Sequence, residues 1–255
     1  MTNERRVLIH PDVPALVAAV AARFLTKTVD LLDEQDQVHV VLTGGTVASD
    51  VQRAIATSPM QAGIDWSRVH FWWGDERFVA SDDTERNELQ AREALLDHIP
   101  TPPENIHPMP ASDRIADLDE AAAAYAAELA AVADDGVLPR FDITFLGVGP
   151  DGHIASLFPD RNGSADPSTT VVPVRNAPKP PPLRISLTLS AIDSSQRVWM
   201  VLSGAEKASA LGLALAGASE REVPVAGVQG RKRTVFFVDQ AAASQVPENL
   251  IANSY

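Results

Sequence analysis

The stretch Phe141-Asp142-Ile143-Thr144-Phe145-Leu146-Gly147-Val148-Gly149-Pro150-Asp151-Gly152-His153-Ile154-Ala155-Ser156-Leu157-Phe158 decides the fold. Its first six residues make an apolar, β-rich run that stops at two glycines and a proline, the pattern of a buried strand emptying into a loop. That loop delivers an acid and a histidine two residues apart. Glycine lets a backbone turn sharply and approach a ligand, and histidine is the side chain whose ordinary pKa suits proton transfer near neutrality. Asp151 stands where it can orient His153. A lone histidine is more often a helix cap or a packed polar residue, but a Gly-x-Gly-Pro-Asp-Gly-His loop after a buried strand favours function.

Outward from this strand, strand and helix patterns alternate. Val7 to His10 reads as a first strand, and Pro11-Asp12-Val13-Pro14 as the entry to an alanine-rich helix ending near Glu34. Val38 to Leu42 is a β-branched run ending in Thr43-Gly44-Gly45-Thr46, with helical character from Val47 to Ala56. Val69 to Trp73 ends in Gly74-Asp75-Glu76-Arg77, and Thr84 to His98 reads as a helix. Pro100 to Pro110 is a connector, and Leu118 to Ala133 is nearly pure helix former. Arg161 to Pro182, with Asn-Gly, Asp-Pro and Pro-Lys-Pro-Pro-Pro, reads as a long irregular excursion. Strands resume at Arg184 to Leu189, Val198 to Leu202 and Thr234 to Val238, with a helix over Glu206 to Ala216. The alternation predicts a three-layer α/β fold with a mostly parallel sheet and Rossmann-like strand-helix order, in one domain over residues 1–255. Ligands of such sheets bind outside the carboxyl ends of the strands, so the loops there are expected to share one face.

Bulk properties narrow the chemistry. The 255 residues are 45% hydrophobic and 22% charged, enough for a real core. A formal net charge of -13 argues against nucleic acid or an anionic membrane as partner, while a small anionic substrate needs only a few converging cations. The absence of cysteine removes disulfides, thiolate catalysis and thiolate metal sites, and fits a cytoplasmic protein. The charged start Met1-Thr2-Asn3-Glu4-Arg5-Arg6 precedes too short an apolar run for a secretory leader, and no segment is apolar enough to span a bilayer. No obligate protein partner is evident.

Four strand ends carry suggestive residues. Gly44, Gly45 and Thr46 offer open backbone N–H groups and a hydroxyl at a helix start, a ready anion site. They match neither the dinucleotide nor the P-loop spacing, which disfavours a nucleotide. Asp75 and Arg77 follow the third strand, and Ser203-Gly204-Ala205-Glu206-Lys207 puts Lys207 in the first turn of a helix. A cation there opposes the helix dipole and asks for a nearby negative charge. Arg184 opens a strand and points into the site or into solvent, and Arg231-Lys232-Arg233 reads as a solvated turn. The six histidines form no i, i+4 pair, so no metal is expected, and there is no Gly-x-Ser-x-Gly elbow.

Leu42-Thr43-Gly44-Gly45-Thr46, Trp73-Gly74-Asp75-Glu76-Arg77, Gly147 through Pro159, Arg184-Ile185-Ser186-Leu187-Thr188 and Ser203 through Lys207 occur in the order and spacing of the 6-phosphogluconolactonases. Over nearly its whole length the chain resembles that group within the glucosamine-6-phosphate isomerase/6-phosphogluconolactonase family. The resemblance implies a NagB/ribose-5-phosphate-isomerase-like fold and hydrolysis of 6-phosphoglucono-δ-lactone without a cofactor. It implies His153 as base, helped by Asp151 and Asp75, and phosphate binding by Gly44, Gly45, Thr46, Arg77, Arg184 and Lys207. The related deaminases follow Asp-Gly-His-Ile-Ala with Phe-Asn-Glu-Pro, whose glutamate assists ring opening, and have tyrosine after Asp-Glu. Here Ser156-Leu157-Phe158-Pro159 and Arg77 stand instead, against the deaminase alternative. Thr46 departs from the serine usual in the family and keeps a hydroxyl. A non-catalytic sugar-phosphate sensor, the other alternative, would need no His153 and usually carries a DNA-binding segment, which is not visible.

Overall fold

The computed structural model describes residues 4–161, 166 and 168–246. In chain order the strands and helices are β1 (Glu4–His10), α1 (Val13–Glu34), β2 (Val38–Leu42), α2 (Thr46–Thr57), β3 (Val69–Trp73), β4 (Asp75–Arg77), α3 (Asn87–Ala94), α4 (Leu118–Val132), β5 (Phe141–Leu146), β6 (Val171–Val174), β7 (Arg184–Leu187), α5 (Leu189–Asp193), β8 (Arg197–Leu202), α6 (Ala208–Leu215), α7 (Pro224–Gly227) and β9 (Arg233–Asp239). Among the described residues no helix is long and apolar enough to cross a membrane.

Local chemistry sets the helix starts. Asp12 caps α1 by accepting from the amide of Ala15 at 2.8 Å, with Pro14 in the first turn, and Asp117 caps α4 through the amide of Glu120 at 2.9 Å. The inner face of α1 buries Leu16, Val20, Phe24, Leu31 and Leu32. Each such side chain contributes roughly 1.5–3 kcal/mol of burial free energy, far more than the propensity terms of the helix.

Six strands form an all-parallel sheet in the order β1-β9-β8-β5-β2-β3, with helices alternating between them in a three-layer α/β arrangement. Every residue of β2, β3 and β5 is buried, as a two-sided parallel sheet requires. From β2 the chain steps outward to β3, and from β5 it steps the other way to β8 and β9. The order reverses between β2 and β5, where open α/β sheets leave a crevice at the carboxyl ends of their strands.

Three expectations need correction. Gly74-Asp75-Glu76-Arg77 is more than the end of the third strand: β4 pairs antiparallel with β7, and β7 with β6, making a second, three-stranded sheet. The excursion before Arg184 therefore contains a strand, while its Asn-Gly at 162–163 and Pro167 lie outside the described residues. The helix expected over 84–98 is shorter, since α3 covers Asn87–Ala94 and a separate 3-10 turn covers Leu96–His98. The chain start at 1–3 also lies outside the described residues.

Candidate active site

The loops after β2, β3, β5 and β8 open onto one cleft of about 410 Å³. Of the residues singled out in the sequence, Gly44, Gly45, Thr46, Asp75, Arg77, His153, Arg184 and Lys207 line it. Asp151 stands behind His153. Arg231 and Lys232 are exposed in the turn before β9, away from the cleft.

The β5 loop is a tight turn. The amide of Gly149 donates to the His153 carbonyl at 2.8 Å, that of Gly152 donates to the Gly149 carbonyl at 3.0 Å, and Gly152 sits at φ +80°. No helix follows, so His153 is not a helix cap. Its ring lies so close over Gly149 that a Cβ there would meet Nδ1 at 2.0 Å. Asp151 Oδ1 accepts from the backbone amide of His153 at 3.3 Å and sits 2.5 Å from its Nδ1. Burial pulls the Asp151 carboxyl upward, but the hydrogen bonds and charge of His153 outweigh it and hold the group below the usual carboxylate range. A carboxylate only accepts, so Nδ1 carries the hydrogen and Nε2 is left as the basic nitrogen.

The two acids after β3 separate in role. Asp75 Oδ2 accepts from the Ser156 hydroxyl at 2.7 Å, and its carbonyl accepts from Asn87 Nδ2 at 2.8 Å. Its hydrogen bonds are with these two residues rather than with His153. Glu76 is turned away into the protein, where it accepts from the amides of Asn87 at 2.7 Å and Glu88 at 2.8 Å at the start of α3. Burial pushes its carboxyl up to about 7, against the opposing pull of Arg86 and those amides.

Sequence reasoning missed Asn87. Its amide oxygen accepts from Arg77 Nη1, its Nδ2 holds the Asp75 carbonyl, and a Cβ on Gly44 would meet its Oδ1 at 1.9 Å. One side chain thus ties the β2 and β3 loops together. Spacing gave no signal for it, because it lay inside the helix expected from residue 84.

The cleft walls are cationic. Arg77, Lys179, Arg184 and Lys207 line it against Asp75 and Glu206, a local excess of positive charge on a chain of net charge -13. Lys207 ends a 3-10 turn, Ala205–Lys207, ahead of α6 rather than standing in the helix. Burial lowers its ammonium, and Glu206 and Asp151 supply the negative charge that opposes this. Arg184 is buried, and its Nε and Nη2 donate to the carbonyls of Pro181 at 3.2 Å and Lys179 at 3.0 Å. Between these cations, α2 begins at Gly45, at φ +104°, with no side-chain cap. The amides of Thr46, Val47 and Ala48 precede the first helical bond, from Ser49 to the Gly45 carbonyl at 2.9 Å, so the positive end of α2 faces the cleft. Among the described residues no group of three or more acids and histidines could hold a metal ion.

The family model for glucosamine-6-phosphate isomerases/6-phosphogluconolactonase matches residues 11–237. The chain belongs to this family. Within it, the chain is 46% identical over 255 residues to the 6-phosphogluconolactonase of Streptomyces coelicolor, covering 98% of each. It is 45% identical to that of Mycobacterium tuberculosis, covering 94% of this chain and 97% of the relative. Among solved structures, the 6-phosphogluconolactonase of Thermotoga maritima superposes with a TM-score of 0.82 at 30% identity, over 93% of this chain and all of that one. The glucosamine-6-phosphate isomerase/6-phosphogluconolactonase fold is thus retained over the cleft and the sheet that carries it.

Proposed function

We infer that the chain is a lactone hydrolase of this family, opening 6-phosphoglucono-δ-lactone to 6-phosphogluconate in the oxidative pentose phosphate route. The observation that carries the reading is the Asp151–His153 pair at the mouth of a cationic cleft, with Nε2 left as the basic nitrogen. Full-length likeness to relatives named 6-phosphogluconolactonase supports it.

His153 Nε2 takes a proton from water while the water oxygen attacks C1 of the lactone. The tetrahedral intermediate collapses with cleavage of the bond between C1 and the ring oxygen, and the imidazolium returns its proton to that oxygen. Asp151 holds the imidazole tautomer throughout. Asp75, bonded to Ser156 and Asn87, is left to meet sugar hydroxyls. The free amides at the start of α2, with Gly44, Gly45, Thr46, Arg77, Lys207 and the uncommitted Nη1 of Arg184, bind the phosphate, and this remote binding energy positions the ring. None of these steps calls on a cofactor. The net charge of −13 speaks against nucleic acid as partner, the cationic cleft suits a small anionic substrate, and the chain is read as a cytoplasmic protein of one domain over residues 1–255.

The Ser156 hydroxyl is spent on Asp75, and the Phe158 ring lies 4.7 Å from that of His153, so this segment offers no acid for opening an amino-sugar ring. The purified chain is expected to accelerate opening of fresh 6-phosphogluconolactone, measured in a pH-stat against spontaneous hydrolysis, and to release no ammonia from glucosamine-6-phosphate. Ammonia release without lactone hydrolysis above background overturns the reading.

A further inference from the structure

The peptide joining Gly152 to His153 is held from both sides. Its N–H, that of His153, donates to Asp151 Oδ1, and its carbonyl, that of Gly152, accepts from the Val225 amide at 3.0 Å. A peptide unit is planar, so fixing both its ends sets the plane from which His153 leaves the turn. Val223 packs on the same spot, so closely that a Cβ on Gly152 would meet its Cγ1 at 2.6 Å. Residues 223–228, which run through α7, are therefore the seat on which the turn between Asp151 and His153 rests.

α7 cannot hold this seat by itself. Four residues are too few for a helix to stand alone, Pro224 brings no amide, and the Val228 amide reaches the Val225 carbonyl only at 3.4 Å. What ties its carboxyl end comes from the other end of the sequence. Arg5 Nη2, on β1, donates to the carbonyls of Ala226 at 3.2 Å and Val228 at 3.0 Å. Beside them Asp193, the last residue of α5, accepts from the Gln229 amide at 2.7 Å. Val225 and Val228 are fully buried, so a slip of the segment moves close-packed side chains with it. We propose that Arg5 is a positioning residue for His153, acting through residues 223–228 and the Gly152 carbonyl. Arg5 does not line the cleft, so its effect reaches the reaction only through the seat of the turn. The proposal rests on the lactonase reading, in which His153 is the base.

The test compares the full chain with Arg5→Met, Val223→Ala and the Arg5→Met/Val223→Ala double variant, each well below its thermal midpoint. Arg5→Met keeps an apolar stem and loses both carbonyl bonds. It should lower kcat for 6-phosphogluconolactone about tenfold with KM within about twofold of wild type, since a misplacement made far from the chemistry costs up to about a hundredfold. The low-field proton resonance of His153 Nδ1–H, identified by its loss in His153→Ala, should shift or broaden in Arg5→Met. Val223→Ala should lower kcat in the same way, and the two losses should overlap in the double variant rather than multiply. Unchanged kcat or an unchanged resonance in Arg5→Met, whatever its thermal midpoint, makes Arg5 a merely structural residue and overturns the proposal. Fully multiplied losses overturn the route through residues 223–228, and a raised KM at unchanged kcat overturns the assignment to His153. If the wild-type chain hydrolyses no lactone, the lactonase reading fails and the resonance alone decides: its being the same in Arg5→Met then overturns the positioning role as well.

Discussion

At the carboxyl end of the sheet, His153 rests on a glycine turn with a carboxylate on Nδ1 and its ring in the cleft. At the amino end, His39 and His70 begin β2 and β3, stacked at 4.8 Å, and His70 Nδ1 lies 3.1 Å from His107 Nε2. His107 stacks on Trp72 at 3.8 Å and reaches Glu128 on α4, while His39 Nδ1 accepts from the Trp72 indole. The same side chain has been put to two uses by its surroundings. Around His153 there is a glycine that makes room and an acid that fixes a tautomer. Around His39 there are the His70 ring and the Trp72 indole, and burial with the charges of His70 and His107 keeps its imidazole neutral and makes it a packing residue.

His153→Ala tests the first pole hardest. It is expected to lower kcat by about a hundred- to ten-thousand-fold, with the thermal midpoint and phosphate binding retained. A variant keeping more than about half of the wild-type kcat would remove the contrast between the poles.

The second prediction concerns what holds the loops at the His153 end together. Gly44→Ala drives a methyl into the Asn87 amide, and Asn87→Ala removes that amide, so both should free Arg77 and the Asp75 loop. Each is expected to cost about tenfold in kcat/KM, as for one lost charged hydrogen bond, and the double variant should cost no more than the worse single one. Fully multiplicative losses would mean that the glycine and the asparagine act separately.

The smallest effect belongs to the amino end and is one of stability. Burial, helped by the charges of His70 and His107, lowers the His39 pKa from 6.5 to about 3. Protonation therefore favours the unfolded chain: the contribution is intact above pH 6.5 and drains as pH falls from about 6.5 toward 3, by up to ~1.4 kcal/mol per pH unit. Burial lowers His70 in the same direction. Glu76 and Asp193, both raised to about 7 by burial, act with the opposite sign, their contribution draining as pH rises from 4.5 and 3.8 respectively toward about 7. The test is therefore a difference. His39→Gln, which keeps an acceptor for Trp72, should lose less stability than wild type between pH 7 and 5 in urea unfolding, and equal losses would show that His39 does not titrate as a buried group.

The long apolar runs of β2, β3, β5, β8 and β9 were legible because a two-sided parallel sheet writes itself as consecutive buried residues. β4 and β6 were not. Asp75-Glu76-Arg77 has the composition of a turn, and Val171-Val172-Pro173-Val174 carries a proline among turn residues. Both become strands only through β7, so their identity is a tertiary fact that no local pattern carries. That the candidate residues at the strand ends would share one cleft was legible for a related reason: glycines after buried strands mark where a backbone turns sharply. Asn87 and Lys179 carry no such mark, since one sits in a polar helix start and the other in a proline run, yet both line the cleft.

The order β1-β9-β8 has a consequence for how the chain comes off the ribosome. Among the described residues β1, the first strand, pairs only with β9, the last. During vectorial synthesis that first strand has no sheet partner until nearly the whole polypeptide has emerged, and the growing sheet presents an open edge at β8 in the meantime. β9 then acts as a keystone, driven in between β8 and β1 and pairing with both in one event. A ribosome that stalls before residue 233 leaves β1, β8 and their apolar side chains for chaperones to shield.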